Sequence, residues 1–243
     1  MTSEVADLAA RLVEWLREQV GAAGARGTVV GLSGGVDSAV VVGLCQRAFG
    51  DNNLALILPC HSDPQDTEDA VLVAQAFGVP YHTVVLDGVY DMLLELLDPG
   101  GIENPRDLAA ANLKPRLRML ALYYFANRRN YLVVGTSNLS ERTVGYFTKY
   151  GDGGVDLLPL GNLVKRQVLE LAAYLGVPER VLRKPPSAGL WAGQTDEGEM
   201  GLTYAELDAY LLSGKARPEV RERIARLSRA SEHKRRMPPV APA

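Results

Sequence analysis

The residues best placed to do chemistry lie in "SGGVDS", Ser33 to Ser38, between the apolar run "TVVGL" and a stretch with helical character. Two glycines let backbone N–H groups turn inward as a concave nest. Serine hydroxyls add donors, and a helix starting at this point adds partial positive charge, so the whole suits a phosphate. No lysine follows the glycines, which separates this loop from the GxxxxGK[ST] type whose lysine reaches a β/γ-phosphate. Asp37 would repel a phosphate unless a divalent cation stood between them, and Mg²⁺ suits carboxylate and phosphate oxygens together. Read locally, Asp37 serves equally as a helix N-terminal carboxylate favoured by the dipole, and the loop as a plain glycine-rich strand-to-helix turn.

Such a loop needs a strand behind it and a helix ahead of it. The sequence alternates short β-branched runs with longer helical stretches, which predicts an α/β protein with a mostly parallel sheet. The expected strands are 28–32, 54–58, 81–87 and 131–136, with a helix over about Asp37 to Phe49 and a crossover helix in "DTEDAVLVAQAFG". Pro105 to Arg129 is rich in Leu and Ala and apolar around much of its circumference. That pattern fits a subunit interface or a central helix covered within one chain. After a polar, glycine-rich section from Ser137 to Gly161, helices are expected at Lys165 to Leu175 and Pro178 to Arg183. Residues 184–201 show no period and are expected to form a loop too long to be idle. "TYAE", Thr203 to Glu206, is a capping-box signature. A basic final helix and tail close the chain.

Composition bounds the function. The chain has 243 residues, 47% of them hydrophobic, enough for one sizeable core. Its 26 Lys+Arg against 29 Asp+Glu give a net charge of −3, without the basic footprint of a nucleic-acid binder. The N-terminal stretch has apolar residues at helical spacing (Val5, Leu8, Leu12, Trp15, Leu16) and acids early, unlike a signal peptide. No apolar run approaches the roughly 18 residues of a membrane span. Cys45 and Cys60 make neither a disulfide framework nor a CxxC pair, and are expected as buried small hydrophobes in a reducing cytoplasm.

The "SGGVDS" loop resembles the signature of the PP-loop ATP pyrophosphatases, which bind a triphosphate there and release pyrophosphate. "NLKPRLRM" (112–119), "LVVGTSNLSE" (132–141), "GYFTKYGDGGVDLLPLGNLVKRQV" (145–168), "KPPSAGLWAGQTDE" (184–197) and "EHKRR" (232–236) follow in the order and approximate spacing of ammonia-dependent NAD synthetase. The resemblance runs from about Gly27 to Pro238. It implies a Rossmann-like three-layer sandwich of the adenine nucleotide alpha hydrolase kind. One NAD synthetase domain is expected, with an N-terminal helix in 1–26, a core in 27–176, and C-terminal helices with a lid loop (184–201) in 177–243.

The same resemblance implies a two-step ligase. The carboxylate of deamido-NAD attacks the α-phosphate of ATP, giving an adenylate and pyrophosphate, and ammonia then displaces AMP to form NAD. Carried over position by position, ATP falls to Gly31, Leu32, Ser33, Gly34, Gly35, Val36, Asp37 and Ser38, with Thr136, Lys165 and the Ser187 hydroxyl. Asp37 and Glu141 become the Mg²⁺ pair, Glu141 lying just past the fourth strand, where loops gather in an open sheet. Deamido-NAD falls to Arg116, Lys149, Asp156, His233 and Lys234, and Asp152 is a weaker candidate for the acylation or ammonia site. Arg116 sits in the long apolar helix, which the family uses for a homodimer with the substrate site at its interface. The 184–201 loop is expected to close over ATP, drawing Gln194, Asp196 and Glu197 inward. The residues ahead of Gly27 leave no room for a glutaminase domain, so ammonia is expected free or from a separate protein. Other PP-loop ligases, such as the ATP-binding part of GMP synthetase, share the loop but not the downstream motifs. A non-catalytic ATP sensor would not need Glu141, Lys165 and Arg116 together.

Overall fold

Four apolar runs form four parallel strands: β1 (Gly27–Gly31), β2 (Asn53–Ile57), β3 (Tyr81–Thr83) and β4 (Tyr131–Val134). Their spatial order is β3-β2-β1-β4. The computed structural model describes residues 2–101, 104, 106–191 and 193–242. Pro105, which opens the long apolar segment, and Ala192, inside the 184–201 loop, lie outside the described residues. Val29 on β1 pairs with Leu54 of β2 and Val133 of β4, and all three side chains are buried. Burial on both faces is why these strands read as continuous apolar runs rather than alternating ones.

Helices cover both faces of the sheet, giving three layers. On one face α1 (Thr2–Ala22), α2 (Val36–Phe49) and α3 (Pro64–Phe77) share a core with Leu16, Val40, Leu44 and Val73 at its centre. On the other, α4 (Asp87–Leu97) and α6 (Leu113–Arg129) pack over Leu56, Leu117 and Val133, with the short α5 (Leu108–Ala111) leading into α6. After β4 come α7 (Leu139–Val144), α8 (Lys165–Leu175) and α9 (Glu179–Leu182), and α8 joins the α1–α2 layer through Val168 and Leu171. A smaller core unites α7 with α10 (Asp196–Met200), α11 (Tyr204–Ser213) and α12 (Pro218–Ala230) around Met200, Leu207 and Ile224.

Three expectations change. The run 81–87 is a strand only to Thr83. Val84 and Leu86 still donate to the carbonyls of Ile57 and Pro59, but Asp87 opens α4 and accepts the His61 N–H at 2.7 Å. The section 137–161 contains α7, because "NLSE" is a capping box: Asn138 accepts the Glu141 N–H and Glu141 accepts the Asn138 N–H. The 184–201 segment is not all loop, since Thr195 caps α10 by accepting the Gly198 N–H. By contrast α8 spans Lys165 to Leu175 as expected, and Thr203 and Glu206 form the capping box at α11.

Candidate functional site

β1 lies between β2 and β4, and the chain leaves its C-terminal end toward β2 while β4 arrives on its other side. The crevice between the ends of β1 and β4 is therefore a topological switch point, where open α/β sheets bind ligands. The loop after β1 carries Ser33 to Asp37 into this crevice. Gly34 has φ +81°, and a Cβ built on it would stand 2.3 Å from the Asp66 carbonyl, so both backbone geometry and space demand glycine. The serines pin the loop to itself: the Ser38 hydroxyl donates to the Gly35 carbonyl at 2.9 Å and accepts the Ser33 N–H, while Ser33 Oγ accepts the Gly35 N–H. Ser38 is buried, so its part in the nest is to hold its shape, whereas Ser33 is exposed. Leu32 and Val36 are core residues and Gly31 ends the strand.

The loop after β4 meets the first from the other side. Asn138, fully buried, donates through Nδ2 to Asp37 Oδ1 at 2.9 Å, tying the starts of α2 and α7 together. The α7 capping box turns the Glu141 carboxylate back toward Asp37, with Oε1 3.3 Å from the Tyr204 hydroxyl. Lys165, first residue of α8, points its ammonium between the two acids. It is ion-paired with Asp37 Oδ2 and lies 3.8 Å from Glu141 Oε1. Its backbone N–H donates to the Ser140 hydroxyl, which donates to Asp208. Only 4% of the Lys165 side chain is exposed, against 17% for Asp37 and 14% for Glu141.

Burial sets the electrostatics. Burial works against the Lys165 charge, but Asp37 and Glu141 outweigh it and hold the ammonium's pKa above its ordinary value. Burial raises the Glu141 carboxyl, helped by the Asp37 charge and opposed by Lys165. Two carboxylates that converge on one cation provide the hard oxygen donors Mg²⁺ prefers. Among the described residues no group of three or more metal-ligating side chains exists. That donor set fits an ion that keeps waters and takes phosphate oxygens for its remaining positions, rather than an all-protein cage.

The other singled-out residues are more dispersed. The expected strand 131–136 ends at Val134, so Thr136 lies two residues past β4, in the loop that leads to α7. Arg116 is exposed on α6, its guanidinium 3.5 Å from the Lys149 carbonyl, and the Lys149 ammonium sits over the Tyr150 ring at 5.1 Å. Both Asp156 oxygens are engaged, by the Tyr123 hydroxyl and the Val133 N–H. Asp152 caps its glycine turn by accepting the Thr148 N–H at 2.8 Å. Lys234 donates to the carbonyls of Gly145 and Phe147, fastening the chain's end to the "GYFTKYG" segment, while His233 is exposed. Ser187 is exposed and accepts the Gly189 N–H.

In the 184–201 segment Gln194 and Asp196 are buried, whereas Glu197 remains at the surface and accepts the Tyr204 N–H. The root of the segment is fixed to α3, where Lys184 pairs with Asp66 and Asp69 at 2.6 Å each and Arg180 joins Asp69. Farther along, the Lys114 ammonium donates to the Leu190 carbonyl. Sequence reasoning missed Asn138 and Tyr204 as parts of the site. "NLSE" carried a readable signal in its capping-box spacing, but the Tyr204 hydroxyl's reach to Glu141 had none.

A parallel three-layer sheet with a lysine-free glycine nest at its switch point, faced by two acids and a buried lysine, defines an α/β protein of the Rossmann-like, nucleotide-handling class. The model of the family described as NAD synthase matches residues 8–238. The chain belongs to the NAD synthase family. It is 54% identical over 230 residues to the NH(3)-dependent NAD(+) synthetase of Carboxydothermus hydrogenoformans, covering 95% of each chain. Among solved structures it resembles an NMN synthetase from Francisella tularensis (40% identity, TM-score 0.91, 98% of each chain). It also resembles the NH3-dependent NAD synthetase of Campylobacter jejuni (29% identity, TM-score 0.80, 98% of this chain and 99% of that one).

Proposed function

We propose that the protein amidates deamido-NAD with ammonia at the expense of ATP, giving NAD, AMP and pyrophosphate. The carrying observation is the convergence of the lysine-free nest, Asp37, Glu141 and Lys165 at one switch point, in a chain whose relatives are named NH(3)-dependent NAD(+) synthetases. The substrate carboxylate attacks the α-phosphate of ATP; the P–O bond to the β-phosphate breaks and pyrophosphate leaves. Ammonia then attacks the acyl carbon, the bond to AMP breaks, and the nitrogen loses a proton to give the amide. Two anions must meet in the first step, so charge neutralisation and alignment dominate the barrier. The nest's N–H groups would hold the departing pyrophosphate, and the Lys165 ammonium would exchange its contact with Asp37 for phosphate oxygens. Asp37 and Glu141 would hold Mg²⁺, which when bound neutralises triphosphate charge. Thr136 and Ser187 would complete the ATP site, and Arg116, Lys149, Asp156, His233 and Lys234 the dinucleotide site.

A homodimer completes the proposal. On the face opposite α2, Val89, Met92, Leu96 and Leu97 of α4 and Leu120 and Tyr124 of α6 are each more than half exposed, an apolar surface suited to a second copy. Cys45 and Cys60 are free thiols, both buried, as a reducing cytoplasm permits. No described helix is long and apolar enough to cross a membrane.

Purified protein with ATP, Mg²⁺, deamido-NAD and ammonium should form NAD, AMP and pyrophosphate in equal amounts. ADP and phosphate as products, or no turnover, would refute the reading. Likeness to the Francisella NMN synthetase makes nicotinate mononucleotide the comparison substrate, and a higher kcat/KM for it would reassign the acceptor. Glutamine in place of ammonium should give no product.

A further inference from the structure

Glu141 stands on α7, a helix of six residues. Isolated helices below about 12–15 residues are marginal in water, so the position of α7 is set by what holds its ends. At the N-terminal end the Asn138 capping box does this. At the C-terminal end the partner comes from "EHKRR", where the family resemblance gives His233 and Lys234 to the dinucleotide and leaves Arg235 without a task.

Arg235 lies where two helix C-termini meet. Its Nη1 donates to the carbonyl of Arg142 on α7 at 3.0 Å and to the Ser231 hydroxyl at 2.8 Å, and its Nη2 donates to the carbonyl of Ser228 on α12 at 2.6 Å. Arg142 is the residue after Glu141. The two helix ends approach so closely that no side chain fits at Gly145, which follows α7 at φ +71°: a Cβ there would stand 2.0 Å from that of Ser231. Each helix C-terminus presents unpaired carbonyls and partial negative charge, so this contact would be repulsive without a cation between the two. A guanidinium suits the place better than an ammonium, because its planar fork reaches both helices at once. The next cation along, Arg236, instead pairs with Glu232 at the surface.

We propose that Arg235 is a positioning residue for Mg²⁺: by tying α7 to α12 it fixes where the Glu141 carboxylate stands opposite Asp37. The inference rests on the reading of Asp37 and Glu141 as the Mg²⁺ pair. Arg235 acts through the backbone of the residue next to Glu141, so its effect is confined to the part of ATP binding that the metal supplies.

Calorimetric titration of ATP with and without Mg²⁺ measures the tightening that the metal brings. Arg235→Met should lose about ten-fold of that tightening, the low end for disturbing an outer partner of a metal ligand. Its affinity for metal-free ATP should stay within about two-fold of the parent, because the nest lies on a separate loop. Arg235→Lys keeps the charge but cannot span both helices, and should lose about three-fold, the scale of one hydrogen bond. It decides the matter if Arg235→Met does not fold. Arg236→Met should bind as the parent does. In a Glu141→Gln background, adding Arg235→Met should take away nothing further. Equal losses with and without Mg²⁺, parent-like tightening in the Arg235 variants, a matching loss in Arg236→Met, or a full further loss in the double variant would each overturn the proposal. If Glu141→Gln alone leaves the tightening intact, the metal reading fails and the proposal with it. A weakened Glu141→Gln beside a normal Arg235→Met refutes the proposal alone. All of these outcomes are read from binding, so they hold whether or not deamido-NAD is turned over.

Discussion

Replacing Lys165 by methionine tests how the site is held together before any ligand arrives. The ammonium is buried between Asp37 and Glu141, and methionine preserves most of the side chain's bulk while leaving two acids facing each other. Removing one partner of a buried ion pair costs about 3–5 kcal/mol. Asp37 and Glu141 retain 17% and 14% side-chain exposure, which lets water screen them and moves the expectation to the low end, about 3 kcal/mol. For a protein of this size 1 kcal/mol displaces Tm by roughly 2–4 °C, so Lys165→Met should melt about 6–12 °C lower at pH 7. Urea unfolding should give the same deficit as a lower midpoint at unchanged slope. Adding Asp37→Asn should recover at least about 1 kcal/mol, because the second change removes the charge stranded by the first. A single variant within about 1 kcal/mol of the parent, or strictly additive effects in the double variant, would refute the view that the three groups form one unit.

Three further outcomes are expected. Gly34→Ala should lose at least about 1 kcal/mol from its left-handed backbone alone, and the Asp66 carbonyl at 2.3 Å should distort the nest enough to cut ATP affinity more than about ten-fold; calorimetric titration with normal affinity would contradict this. Glu141→Gln should raise Tm at pH 8 and lose that advantage toward pH 5. The folded protein holds the Glu141 proton more tightly than the unfolded chain, so stability falls as pH climbs above the unfolded carboxyl's range, and glutamine removes that loss. Melting curves with a pH-independent difference would refute the assignment. The proposed homodimer is tested by Leu120→Asp, on the exposed face of α6: the parent should sediment as a dimer and the variant at half that mass with little change in the fold, and a parent that sediments as a monomer, or an unchanged variant mass, would refute the proposed interface.

Much of the fold was legible because its signals are local. Four apolar runs mark four strands, and α8 begins and ends where its period does. Elements were missed where the local signal was short or was outweighed. Residues 84–86 keep strand-like hydrogen bonding after β3 has ended, so the run looks longer than the strand is. Helices α7 and α10 have six and five residues, too few to show a period, and only their capping residues announce them. At the site, the nest and its awkward aspartate were readable from six adjacent residues. The pairing of Asp37 with Lys165, 128 positions apart, was not, because it depends on α8 returning to the first helical layer. Asp196 stood out in sequence only as one acid in an aperiodic stretch, and its hydrogen bond from the Tyr204 hydroxyl exists only once α10 and α11 are packed.

The start of α3 also has a genetic consequence. The Asp66 carbonyl occupies the space a side chain at Gly34 would need, while the side chains of Asp66 and Asp69 grip Lys184 at the root of the 184–201 segment. The nest and that segment thus rest on a common fulcrum, although about 150 positions separate them in sequence. Substitutions in the two places should therefore show epistasis. A change at Lys184 that is harmless by itself should become damaging in a background with a loosened nest, and libraries that vary the two regions separately would miss the combinations that work.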